Sequence, residues 1–342
     1  MKRLTILLVM LISAFSICFG LTGCGKKKDD NVVRVSEVTH SLFYAPLYIA
    51  MNNGYFEEEG IEIELTNAGG SDAVTTSLTS KSADIGLLGP EGMIYVRNQG
   101  MKNAPIIFAQ LTACDGSFLV GRPDENTGEF SYSDLIGKHI IAGRPGGMPA
   151  MTLQYILEEI YGLTTGSELG NGVDVKLDTS IAYNLNVPSF LANTGDYCTM
   201  FEPTASQCEI DGTGVIVSAL GEEVQDIPYT VFTATSSFLN KHPEKVEKFM
   251  RALKKGYDYL MIATDTQLVT ALKPSFNTTS DELIVSAVRN YIRIGAYADD
   301  FVLSQTSWNK LQEIMAHAGE LDGNVAYTDA VNTEFATAVK SN

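Results

Sequence analysis

Regular patterning begins near Val32. Apolar and polar residues alternate through "NVVRVSEVT", with Val33, Val35 and Val38 among the apolar positions, which predicts a strand that breaks at His40. The period then changes. In "APLYIAMNNGYFEEEG", Leu47, Ala50 and Met51 share one helical face, Pro46 sits in the first turn where it is tolerated, and Gly54 ends the run. A second strand is expected at Ile61 to Leu65, followed by a glycine turn and a helix capped by Ser71 or Asp72. "DIGLLG" reads as a third strand ending at Gly89, and "PEGMIYVRNQG" as the helix after it. Two more strands, "PIIFAQL" and "SFLVGR", flank "TACDG".

Strand and helix alternate with short links, which predicts an α/β chain of mainly parallel sheet flanked by helices. The pattern restarts after the polar loop "RPDENTGEFSYSD": a strand at 139–142, a helix running to about Gly162, the strand "VDVKL", the short helix "NLNVPSFLAN" and the strand "DYCTM". Two α/β units are therefore expected. "GVIVSAL" and "YTVFTATSSFL" are later strands, and from "NKHPEKVEKFMRAL" onward the pattern is mostly helical. Phe249, Leu253 and Tyr257 recur there at helical spacing and read as core.

The first residues change the picture. Lys2 and Arg3 precede an apolar run from Leu4 to Phe19, and "LTGC" closes at Cys24. This is a secretory signal, and its cleavage site resembles the bacterial lipoprotein box. That resemblance implies a signal peptide over 1–23, lipid on Cys24 and a flexible tether over 24–31, so the folded part would hang from the extracytoplasmic face of a membrane. The formal net charge of −17 becomes −17 − 2 = −19 once Lys2 and Arg3 leave. Such an acidic chain lacks the basic footprint of a nucleic-acid binder. Of five cysteines, Cys18 lies in the signal and Cys24 is the lipid site, leaving Cys114, Cys198 and Cys208. Three scattered cysteines do not make a disulfide framework; Cys198 and Cys208 could pair, but buried thiols are the favoured reading.

Candidate chemistry sits at strand ends. "IIAGRPGGMPAMTLQY" runs from strand through glycines into a helix. It lacks the lysine of a phosphate-binding P-loop and is not a GxGxxG dinucleotide fingerprint. Gly146 and Gly147 could bring backbone N–H groups close to a ligand at the start of the helix after Met148, with Arg144 as a forked cation. Equally, the glycines could only make a tight turn, with Arg144 solvated. "THSLFYAP" places His40, Ser41, Phe43 and Tyr44 after the first strand, where an open α/β sheet lines its crevice. Gly70, Ser71 and Asp72 follow strand two, Pro90 and Glu91 follow strand three, and Asp115, Tyr183 and Glu202 occupy similar positions. Each alone is more often a turn or cap; together they suit contacts from two units facing one cleft. No HExxH, G-x-S-x-G or other catalytic set occurs, so binding without chemistry is expected and no cofactor or metal is called for.

The segments "YAPLYIAMNNGYFEEEGIEIEL", "GGSDAVTTSLTSKSADIGLLGPE", "DLIGKHIIAGRPGGMPAMTLQYIL" and "FLNKHPEKVEKFMRAL" resemble the solute-binding lipoproteins of ABC importers, within the nitrate, sulfonate, taurine and thiamine-pyrimidine-precursor family. The resemblance spans nearly all of the chain after the tether. It implies a two-lobed periplasmic-binding-protein-like fold of type II, with lobe one over 32–122 plus 229–342, lobe two over 123–228, and hinge closure on a solute. It also implies a permease and an ATPase as partners of a monomer. Family contacts carried over fall on His40 to Tyr44, Gly70 to Asp72, Pro90, Glu91, Arg144 to Met148 and Glu202. Arg144 is the one cation of that set, beside Asp72, Glu91 and Glu202, which favours a neutral or cationic ring compound such as an aminopyrimidine over a sulfonate or nitrate. Two rivals stand beside this reading: a pyrimidine-precursor synthase, whose fungal relatives carry a cysteine-dense motif not seen here, and a structural surface lipoprotein.

Overall fold

The computed structural model describes residues 31–124 and 128–339. The expected signal peptide over 1–23, Cys24 and all but the last residue of the expected tether lie outside the described residues. Among the described residues, eleven strands form two mixed sheets. The first has the order β2 (Glu62–Asn67), β1 (Val32–Glu37), β3 (Ile85–Leu88), β11 (Thr230–Ala234), β4 (Ile106–Thr112). The second has the order β10 (Val215–Ala219), β5 (Phe118–Gly121), β9 (Tyr197–Met200), β6 (His139–Ile141), β8 (Val175–Asp178), β7 (Thr165–Gly166). β1 and β3 run parallel, as do β6, β8 and β9. Their carboxyl ends carry the loops that matter below. Each sheet is the centre of one lobe.

Three sequence expectations need correction. β5 was expected in lobe one; it pairs with β9 and β10 of the second sheet, so the chain changes sheet between Thr112 and Phe118 and not near 122. β11 is antiparallel to both β3 and β4, where the alternating pattern suggested parallel neighbours. Its helix also begins earlier than the apolar run implies: Thr235 caps Ser236–Lys241, its side chain accepting from the Phe238 N–H, so "SSFL" is helical.

Packing follows the pattern. The helix Pro243–Ile262 lies against Ala45–Asn52, and Phe249 and Leu253 are fully buried beneath it. Trp308, on the helix Gln305–His317, is also fully buried and donates its indole N–H to the Val325 carbonyl. Cys114, Cys198 and Cys208 are buried free thiols. No helix of the described residues is long and apolar enough to cross a membrane.

Candidate functional site

The two chain crossings lie side by side. The first is 113–117 and the second runs from Leu220 to Tyr229; the Leu220 N–H bonds the Ser117 carbonyl at 3.0 Å, and the Tyr229 N–H bonds the Thr112 carbonyl at 3.1 Å. A Cβ on Gly221 would stand 2.4 Å from the Asp115 carbonyl oxygen, so the crossings touch backbone to backbone. An aromatic cluster sits over them. Phe43, just after β1, packs on Tyr291 (4.7 Å between centroids), Tyr229 (5.7 Å) and Phe201 (6.1 Å). Gly116 lies directly beneath that ring. Phe43 and Tyr44 are buried, so their surroundings are protein to a larger degree than the stacking role expected from sequence requires.

Buried polar side chains with unpartnered atoms occur at this crossing and elsewhere in the two lobes. Among the described residues, Glu91 Oε2, Asp115 Oδ2, Ser117 Oγ, Thr152 Oγ1, Thr112 Oγ1 and both amide atoms of Asn186 have no hydrogen-bond partner. Buried polar groups are usually satisfied, so a group of exceptions needs an explanation. Asp115 Oδ1 accepts the Ser117 N–H at 2.8 Å. Burial raises the Asp115 pKa, and the hydroxyls of Ser117, Thr152 and Tyr229 stand close enough to the carboxyl to lower it in part, although none meets Oδ2 in full hydrogen-bond geometry. Asp115 and Glu91 were read from sequence. Ser117 closes the strand-end motif "CDGS"; Thr152 and Asn186 carry no such mark, and Thr152 looks like part of an apolar helix face in "MPAMTLQY", a hydroxyl among core residues, which is the one signal that could have flagged it.

Glu91 begins the helix Glu91–Asn98, with Pro90 as its cap. Burial pushes its carboxyl up to about 7, against the lowering effects of its own backbone N–H and of the Arg144 guanidinium. Arg144 is exposed. It belongs to the opposite lobe, in the loop that enters the helix Met148–Tyr155 through Gly147. Gly146 has φ 64°, a left-handed conformation that favours glycine, and its carbonyl accepts from Tyr95 Oη at 3.1 Å. The two lobes also meet where Tyr155 Oη donates to Glu313 at 2.8 Å, and where His317 lies 2.7 Å from Glu158 and 3.2 Å from Glu159. The glycine–arginine loop thus faces the helix Glu91–Asn98.

Other sequence candidates are placed elsewhere. His40 uses both ring nitrogens within its own lobe, against Glu37 at 2.9 Å and the Ser275 carbonyl at 2.9 Å, and stacks on Phe276. Glu202 is buried, but its carboxylate accepts from the Ser206 N–H and hydroxyl and from Asn290 at 2.6 Å, so it ties β9 to the helix Asp281–Arg293. Ser41 caps the turn Leu42–Tyr44, accepting from the Phe43 N–H. Gly70 is the extended cap of Ser71–Thr79; Ser71 is half-buried, and Asp72 in the first turn is exposed. Tyr183 begins the short turn Tyr183–Leu185 that leads to Asn186. Met148 is buried at its helix start.

A family model described as NMT1/THI5 like matches residues 43–265. The chain belongs to this family. Its relatives include YtlA of Bacillus subtilis (strain 168), provisionally named a binding protein, which is 36% identical over 330 residues and covers 96% of each chain. A 4-amino-5-hydroxymethyl-2-methylpyrimidine phosphate synthase of Aspergillus parasiticus is 25% identical over 291 residues, covering 82% of this chain and 81% of the synthase. Among solved structures, the alkanesulfonate-binding protein SsuA of Xanthomonas axonopodis pv. citri, bound to MOPS, superposes with a TM-score of 0.65, at 14% identity over 89% of this chain and 98% of that one. At that identity the likeness is one of fold. It establishes the two-lobed periplasmic-binding-protein-like architecture, which this family member shares.

One consequence can be measured on the solute-free protein. The folded Glu91 pKa lies above the ordinary 4.5, so the folded state holds that proton more tightly than the unfolded chain does. Its contribution is fully present below about pH 4.5 and is lost as pH rises through about 7. Between those values the wild type should lose on the order of 2 kcal/mol relative to Glu91→Gln. Parallel melting curves for the two proteins across pH 4 to 8 check this; curves of identical slope would refute it.

Proposed function

We propose that this protein is the extracytoplasmic solute-binding component of an ABC importer, which captures a small organic solute between its lobes and hands it to a membrane permease driven by an ATPase. The observation that carries this reading is the set of buried side chains beside the first crossing and the glycine–arginine loop, Asp115, Ser117, Thr152 and Glu91, each with an oxygen that meets no partner in hydrogen-bond geometry. A solute that bonds them would offset the cost of leaving them unmatched, which is largest for groups removed from water. The family and fold support the same reading. Lipid on Cys24, a monomeric state and import through a dedicated permease belong to this proposal, as does the absence of chemistry.

The composition of the site favours a ring compound rich in N–H donors, of aminopyrimidine type. Two buried acids, Glu91 and Asp115, stand at the junction, and Arg144 is exposed. An anion would meet carboxyls there, which is unfavourable. A synthase reading finds less support. Burial raises the Cys198 thiol to about 12 and also lifts Cys114 and Cys208, so none of the three is an activated nucleophile.

The test uses the chain from Gly25, unfolded and refolded to strip bound solute. Its melting temperature is followed against aminopyrimidines, thiamine, riboflavin, alkanesulfonates and nitrate. A solute at 100 times its dissociation constant adds about 2.7 kcal/mol and should raise the midpoint by several degrees. Stabilisation by one chemical class, weakened in Glu91→Ala, is the expected result. A flat response to the whole panel would count against a binding protein for these classes.

A further inference from the structure

We propose that Asp115, with Ser117 and Thr152, forms a hinge-side pole of the solute site that receives an N–H donor, an amine or the amino edge of an amidine, so that the segment joining the lobes itself reads the solute. The inference rests on the solute-binding reading and adds a contact that the family resemblance does not supply. The carried-over contacts lie after strands one, two and three and at helix starts of the second lobe, whereas Asp115 and Ser117 lie on the crossing between β4 and β5.

Three observations support it. Asp115, Ser117 and Thr152 are each 0% exposed; the two hydroxyls stand close to the Asp115 carboxyl, yet Asp115 Oδ2, Ser117 Oγ and Thr152 Oγ1 complete no bond in full hydrogen-bond geometry. They come from different places: Asp115 and Ser117 from the first crossing, Thr152 from the helix that follows the glycine–arginine loop of lobe two. Thr152 nevertheless faces the Asp115 carboxyl. Finally, the carboxyl is held firmly. Oδ1 accepts the Ser117 N–H at 2.8 Å, and the second crossing packs against the Asp115 carbonyl at Gly221. Oδ2 is therefore a fixed acceptor. A buried carboxyl meets an N–H donor well, and an acceptor-only group such as a sulfonate or nitrate poorly.

The experiment compares 4-amino-5-hydroxymethyl-2-methylpyrimidine with its 4-desamino counterpart by calorimetric titration. Wild type should prefer the amino compound about tenfold or more, the usual effect of a hydrogen bond to a charged group. In Asp115→Ala that preference should fall close to one, with the desamino compound bound within a few-fold of wild type. Asp115→Asn should restore part of it, since the amide oxygen accepts the same donor. A merely structural role would weaken both compounds equally. Should the alanine variant not fold, Thr152→Val carries the same readout. Equal binding of the two compounds by wild type, or a preference that survives in Asp115→Ala, overturns the hinge pole and leaves the solute-binding reading standing. So does a wild type that ignores both but binds alkanesulfonate or nitrate. A protein that binds none of these probes removes the support for both.

Discussion

Gly116→Val should weaken solute capture by about 10- to 100-fold while leaving most of the secondary structure in place. A Cβ at Gly116 would lie 2.7 Å from two carbons of the Phe43 ring, closer than any real contact allows. The ring cannot swing away, because Tyr291, Tyr229 and Phe201 surround it. Overpacking of this kind typically costs about 1–3 kcal/mol. The cost falls on the crossing between the lobes, next to Asp115, so it should appear chiefly as loss of the closed, solute-bound form. Every 1.4 kcal/mol taken from that form is roughly a tenfold loss of affinity. Calorimetry with the best solute of the panel, together with small-angle scattering to follow closure, measures both. An affinity within twofold of wild type would show that the Phe43–Gly116 contact does not set the hinge geometry.

Gly256→Val should be the most damaging single change to the fold. This glycine lies inside the helix Pro243–Ile262, where the helix Ala45–Asn52 crosses it. A Cβ there would stand 2.2 Å from the Pro46 carbonyl oxygen, 3.0 Å from the Ala50 Cβ and 3.1 Å from the Ala50 nitrogen. The first and last are backbone atoms, so no rotamer relieves the clash and the helices must separate. Separation would loosen Leu47, Ala50, Phe249 and Leu253, all fully buried. The overpacking and the lost packing together should cost about 3 kcal/mol or more. Urea denaturation should show an earlier midpoint, and the protein should accumulate poorly on expression. Wild-type stability in this variant would mean that the two helices are not held at this distance.

These two glycines also show where sequence reading stops. Gly256 sits in a strongly amphipathic helix, and its neighbours Phe249 and Leu253 are legible as core from spacing alone. That the glycine face is pressed against another backbone depends on a helix some two hundred residues earlier in the chain. Gly116 reads as part of a turn in "CDGS"; its partner Phe43 lies 116 − 43 = 73 residues earlier, also beyond the reach of local pattern.

The sequence by itself determined the α/β class, most element positions, the acidic character of the chain, the core helices and the family. Those properties are local: they rest on period, on composition and on short motifs. It also indicated Glu91 and Asp115, because acids after strand ends are conspicuous. Tertiary structure alone decided which candidates already have partners and which do not. His40 and Glu202 have suitable chemistry, but Glu37, Ser275, Ser206 and Asn290 already occupy them. Thr152 and Asn186 look ordinary in sequence and become notable because burial leaves them unpartnered. The antiparallel placement of β11 and the early sheet change at 113–117 were likewise invisible, since strand order is set by pairing between distant segments. A hydrogen bond's worth depends on whether water can replace the missing partner, and only the folded chain determines where water is excluded.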